Sequence, residues 1–187
     1  GKTYTLPIDE HERHNAIHGY GKRAFWKLVS LKEDAVTLSW RAPNMEGYPF
    51  DIVVTATYSL ADDGLHLNIS AYNNGDADAP WALAIHPWLA NGFNGYGDEI
   101  DAHNAKCSLT VPGRTHVTVN ENLIPTGTEP VDGTKYDLRK DTLLTEQPFD
   151  DAWTDLEHAE DGTVTAVFTR PDGKKVRVGC LLYTSPS

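Results

Sequence analysis

The chain has 187 residues, 40% hydrophobic and 23% charged, which is enough apolar material for one folded core and too much for a disordered protein. Sixteen Lys and Arg against 27 Asp and Glu leave a net charge of −11, which argues against nucleic acid or anionic membrane surfaces as partners. Cys107 and Cys180 make no disulfide framework and no metal-type spacing, and no run approaches the ~18 apolar residues of a membrane span, so a cytoplasmic home is expected.

In chain order, the first strand is expected over residues 26–31, apolar on alternate positions, and the second over 35–40 after a Lys-Glu-Asp turn. Residues 50–60 are long and β-branched, and Asp62-Asp63-Gly64 then supplies a hairpin turn into a strand over 65–72. In that strand Leu65, Leu67, Ile69 and Ala71 face one way and His66, Asn68 and Ser70 the other. Residues 79–89, an apolar run interrupted by His86, read as a buried strand ending at that histidine, because Pro87 cannot continue an inner ladder. Further strands are expected over 106–111, 116–120, 163–169 and 175–183, the last two joined by Pro171-Asp172-Gly173. No segment keeps a 3.6-residue apolar period for ten residues. Short strands with Gly, Asp and Asn turns between them predict an all-β antiparallel sandwich or barrel in one domain.

Three clusters have residue types suited to chemistry. His86 stands beside Pro87 and Trp88, so a titratable ring is offered next to a flat indole, as a general acid for a ring-shaped polyhydroxylated substrate requires. The competing reading is a core histidine bonded to backbone. Near the start, His11, His14 and His18 would share a helix face, but Pro7, Asn15, Gly19 and Gly21 favour a loop, and no metal site is expected. His18, between Ile17 and Gly19, is the favoured site member, with His11 and His14 as solvated surface residues. The third cluster, Pro148-Phe149-Asp150-Asp151-Ala152-Trp153, offers acids flanked by aromatics, which suits sugar hydroxyls; a solvated acidic turn is the alternative. Residues 124–127 and 130–139 read as an ordered loop in which Asp137 and Arg139 are structural.

Asn-Ala-Ile-His-Gly (15–19), Gly-Tyr-Pro-Phe (47–50), His-Pro-Trp (86–88), Leu-Ile-Pro-Thr-Gly (123–127), Tyr-Asp-Leu-Arg (136–139) and Phe-Asp-Asp-Ala-Trp (149–153) occur in that order. Together they resemble the aldose 1-epimerase (galactose mutarotase) family. The resemblance implies a galactose mutarotase-like antiparallel β-supersandwich and cofactor-free interconversion of the α and β anomers of a hexose. It implies that His86 is the general acid on the ring oxygen, that His18 orients the sugar, and that Asp150 accepts a sugar hydroxyl, with Asp151 its rival. Asn15 and Trp88 are the remaining expected substrate contacts. Trp88 stands where galactose-handling members more often have tyrosine, which leaves the hexose open and resembles a bacterial subgroup that includes sulfosugar mutarotases.

The family's substrate-binding Arg is expected upstream of Gly1 and its catalytic Glu beyond the end of this chain. Residues 1–178 are therefore expected to be a partial domain, incomplete at both ends, and 179–187 an atypical and possibly foreign tail. The expected partner is a small sugar, with the oligomeric state open. Two other readings compete: a non-catalytic carbohydrate-binding β-sandwich, and a glycosidase. The second needs two carboxylates about 5–9 Å apart on either side of a bond, and Asp150 and Asp151 on a strand would face opposite ways.

Overall fold

A computed structural model describes residues 1–144 and 149–181, in which antiparallel strands dominate and the chain divides into two compact units, 1–85 and 86–187. Unit 1 is a four-stranded meander in the order β1 (Lys27–Leu31), β2 (Ala35–Met45), β3 (Tyr48–Ala61), β4 (Gly64–Asn73). Alternation on β3 buries Phe50, Ile52, Val54 and Ala56, as a two-residue side-chain period requires when one face packs on a core. Ile52 and Val54 are 2% and 1% exposed, and burying each stabilises the unit by roughly 1.5–3 kcal/mol. Trp26, Trp40, Tyr48, Ile69 and Ala79 pack around them. The Asp62-Asp63-Gly64 turn forms as expected, with Gly64 at φ 139°, which a side chain would resist.

Unit 2 holds two sheets and a short helix, α1 (Asp98–Asn104). One sheet takes β5 (Ser108–Thr110), β8 (Thr142–Leu143), β10 (Val164–Thr169) and β11 (Lys175–Cys180) in the order β11-β10-β5-β8. The other places β6 (Gly113–Val119) between β7 (Pro125–Pro130) and β9 (Ala152–Leu156). Cys107, Val131, Leu138 and Phe168 are its buried apolar residues. Gly113 is required where it stands, because a Cβ there would lie 2.6 Å from Cβ of Trp153. Of the expected atypical tail, Gly179 and Cys180 belong to β11, while residues 182–187 lie outside the described residues.

The sequence reading departs from the structure over residues 79–89 and at β7, β8, β9 and α1. Residues 79–89 are not a buried strand: no described strand pairs with them, and Trp81, Leu83 and Ile85 are exposed. Pro80 and Pro87 remove two backbone donors, and an apolar run becomes a strand only where neighbours accept its backbone bonds. β7 was read as loop because of Pro125, Gly127 and Pro130, yet it is an edge strand, where proline costs no inner ladder bond. β9 was hidden by the acidic character of its surroundings, and α1, at seven residues, is too short for a helical period to show.

Candidate functional site

In unit 1, Asn15 and His18 lie on a polar loop, not a helix, as the proline and glycines around them foretold. An antiparallel bridge joins Glu10 to Asn15, with N–H to carbonyl distances of 3.0 and 3.1 Å. The Asn15 side-chain amide donates to Glu10 at 3.0 Å and Arg13 pairs with the other oxygen of Glu10 at 2.7 Å. Asn15 thereby braces the loop. Asp9 accepts the Ile17 backbone N–H at 2.7 Å and pairs with Lys22 at 2.9 Å. That N–H first, and Lys22 second, hold the Asp9 carboxyl below the usual carboxylate range. The next residue, His18, is exposed at φ 62°, followed by Gly19 at φ 58°. Two left-handed residues in succession turn the chain sharply and present the ring outward. His11 and His14 are exposed, as expected.

In unit 2, His86 is exposed, and Trp88 is 96% exposed, so a large apolar face stands open to a ligand. Asp150 is also exposed, and no described residue engages its carboxylate. Leu89, next to Trp88, and Phe149, next to Asp150, line one cleft of about 760 Å³ together with Asn91, Asp101 and Asn104 of the same unit. That volume is within the range of small-molecule sites, roughly 300–1,000 Å³. Pro148, the first residue of the Phe-Asp-Asp cluster, lies outside the described residues.

Asp151 has a different environment from its neighbour. Its carboxylate lies 2.9 Å from Nε2 of His116, within hydrogen-bond distance, while Nδ1 of the same ring lies 3.1 Å from a carboxylate oxygen of Glu129. His116, 4% exposed, sits on β6 directly opposite Glu129 of β7. Its ring stacks on Tyr136 at 3.6 Å and 8°, with Trp153 edge-on at 6.2 Å. The Trp153 indole N–H donates to the Tyr136 carbonyl at 2.9 Å. Sequence reasoning treated His116 only as the start of a strand; its partners lie 13 and 35 residues away, and no local pattern marks them.

The loop behind Tyr136 is held as the sequence suggested. Arg139 bonds Asp137 through Nε and Nη2, each at 2.7 Å, and Asp132 at 2.8 Å. The Arg139 side chain lowers the Asp137 carboxyl to about 2.

Residues 1–179 match the aldose 1-epimerase family. The chain belongs to that family. As a member, it is 34% identical to the galactose mutarotases of Rattus norvegicus over 149 residues and of Homo sapiens over 152 residues. Each match covers 77% of this chain and 41% of the relative, so the chain spans less than half the length of either mutarotase. It is also 40% identical over 90 residues to the uncharacterized protein YihR of Escherichia coli K12, a match covering 48% of this chain and 29% of that protein. Among solved structures, a galactose mutarotase-like protein from Clostridium acetobutylicum aligns with a TM-score of 0.67 at 16% identity, over 92% of this chain and 53% of that one. An aldose epimerase homologue from C. elegans aligns at 0.52 and 20% identity, over 79% and 46%. These structures bear on fold alone, and the expected galactose mutarotase-like antiparallel β architecture is the one found.

Proposed function

We propose that these residues belong to a mutarotase, which interconverts the anomers of a hexose by opening and reclosing its ring. His86 gives a proton to the ring oxygen, His18 orients the sugar, and Asp150 accepts a hydroxyl, with Trp88 packing on the apolar side of the ring. Asn15 contributes by holding the loop of His18 and by contact with the sugar. A histidine side chain can give up and take back a proton in neutral solution, which suits the acid role. The reaction also needs a base on the anomeric hydroxyl, and general acid–base help contributes roughly 10²–10⁴-fold per group. On this reading the residues named here supply the acid and the sugar contacts. Two thiols without a disulfide suit a cytoplasmic setting.

The observation that carries this reading is the match of residues 1–179 to the aldose 1-epimerase family, within which His86 and Trp88 stand exposed. A carbohydrate-binding module would use the same aromatics and acids, but it has no need of a histidine in the position of His86. The test is a titration of D-galactose and D-glucose into the 15N-labelled chain. The expected result is saturable shifts at His18, His86, Trp88 and Asp150, with anomerisation by the chain alone staying within about tenfold of buffer. Absence of saturable shifts at these four residues contradicts the binding assignment, and faster anomerisation shows that a base is present.

A further inference from the structure

We infer that His116 is a positioning residue for sugar binding: clamped between Glu129 and Asp151, it fixes the backbone on which Asp150 is presented outward. The inference rests on the assignment of Asp150 as the hydroxyl acceptor. The sequence left Asp150 and Asp151 as rivals, and hydrogen bonding separates them. Asp151 is turned in to Nε2 of His116 at 2.9 Å and its side chain is 20% exposed, so its carboxylate is committed to the protein. Asp150, one residue earlier, is exposed and engaged by no described residue. Asp150 is bonded directly to Asp151, which itself adjoins β9 (Ala152–Leu156), so holding the Asp151 side chain also holds the backbone that carries Asp150.

The clamp is rigid because each contact of the ring is made by a different element. Glu129 comes from β7, directly across the ladder from His116 on β6. Asp151 immediately precedes β9, whose Ala152 and Trp153 pair with Val117 and His116. Tyr136, from the loop between β7 and β8, covers one face of the ring. That tyrosine is itself anchored by the Trp153 indole on its carbonyl and by Lys135, whose ammonium lies 4.9 Å from its ring centre. Both ring nitrogens thus face carboxylates and one ring face is covered by Tyr136, which leaves a single orientation for the imidazole. Nothing in the proposed reaction uses His116 directly, as it is only 4% exposed.

The experiment measures D-galactose and D-glucose affinity by NMR titration of the chain carrying Asp150→Asn, Asp151→Ala, Asp151→Asn, Glu129→Gln, or Asp150→Asn with Asp151→Ala. His116 itself is left intact, because truncating a buried ring risks the fold. The expected result is that Asp150→Asn and Asp151→Ala each weaken binding by about tenfold, and that the double variant is no weaker than Asp150→Asn alone, as two links in one chain behave. Asp151→Asn retains a side-chain amide that can hydrogen-bond Nε2 of His116 and keeps affinity within about threefold. Glu129→Gln falls between them. If Asp150→Asn weakens binding and Asp151→Ala does not, the positioning role is overturned while the assignment of Asp150 stands. If Asp150→Asn leaves affinity unchanged, or the unsubstituted chain binds neither sugar, that assignment fails and this inference with it. A purely structural role for the clamp would instead lower Tm in Asp151→Ala with losses of affinity that add to those of Asp150→Asn, and that outcome also overturns it.

Discussion

β3 and residues 79–89 are both apolar stretches of similar length, yet one is the core strand of unit 1 and the other pairs with no described strand. β3 alternates, with Phe50, Ile52, Val54 and Ala56 on one face and Asp51, Val53, Thr55 and Thr57 on the other, and it has β2 and β4 beside it to take its backbone bonds. Residues 79–89 carry apolar side chains on both sides, two prolines, and exposed Trp81, Leu83, Ile85 and Trp88. The difference teaches that apolar content measures what a segment can bury, whereas alternation and available neighbours decide what it does bury. The residues proposed for chemistry, His86 and Trp88, stand in the stretch that gave up its ladder.

The largest effect should separate the two regions directly. Ile52→Ala is expected to destabilise by about 2–5 kcal/mol, as cavity-forming changes in packed cores do, whereas Ile85→Ala, at 53% exposure, should stay within about 0.5 kcal/mol. Urea denaturation of the two variants makes the comparison; equal losses would mean that residues 79–89 are packed as β3 is.

A smaller effect concerns the loop of His18, which holds its shape with polar contacts rather than apolar burial. Asp9→Ala removes the acceptor of the Ile17 N–H and the partner of Lys22. Hydrogen exchange at Ile17 should quicken by about tenfold or more while the amides of β3 stay protected. Unaltered exchange at Ile17 would show that the bridge from Glu10 to Asn15 holds the loop by itself.

The Arg139–Asp137 pair gives a third, pH-dependent effect. The Asp137 carboxyl is lowered in the folded state from its ordinary 3.8 to about 2, so its contribution is present above the ordinary value and lost as pH falls through that interval. Asp137→Asn should therefore flatten the fall of Tm between pH 3.8 and about 2 and leave the slope above it unchanged. The smallest effect is chemical. Cys180 is exposed, whereas Cys107 is fully buried and burial pushes its thiol up. One thiol should react with a disulfide reagent in the folded chain and the second only after unfolding, which mass spectrometry of the tryptic peptides will show.

Much of the architecture was legible because it is local. β3, β4, β10 and β11 follow from alternation, and their connections from Asp-Asp-Gly and Pro-Asp-Gly. The loop around His18 was legible for the same reason, since glycine and proline act on their own neighbourhood. What escaped depends on partners distant in sequence. β7 carries two prolines that exclude it from a sheet interior, and only its place at the edge reconciles them. His116 is polar in a strand whose valines, Val117 and Val119, would by hydropathy be expected inside, and it is buried because Glu129 and Asp151 satisfy it. Hydropathy reports the cost of burying a group and says nothing of which partners offset it.

The central claim is that His86 delivers the proton to the sugar ring oxygen. The direct measurement is the rate of anomer interconversion, by polarimetry on freshly dissolved α-D-galactose and α-D-glucose, for the gene product that contains these residues and for its His86→Ala variant. The predicted result is a fall in kcat of roughly 10²–10⁴-fold with KM little altered, the pattern of an interaction made mainly in the transition state. An unchanged kcat in the variant would contradict the claim.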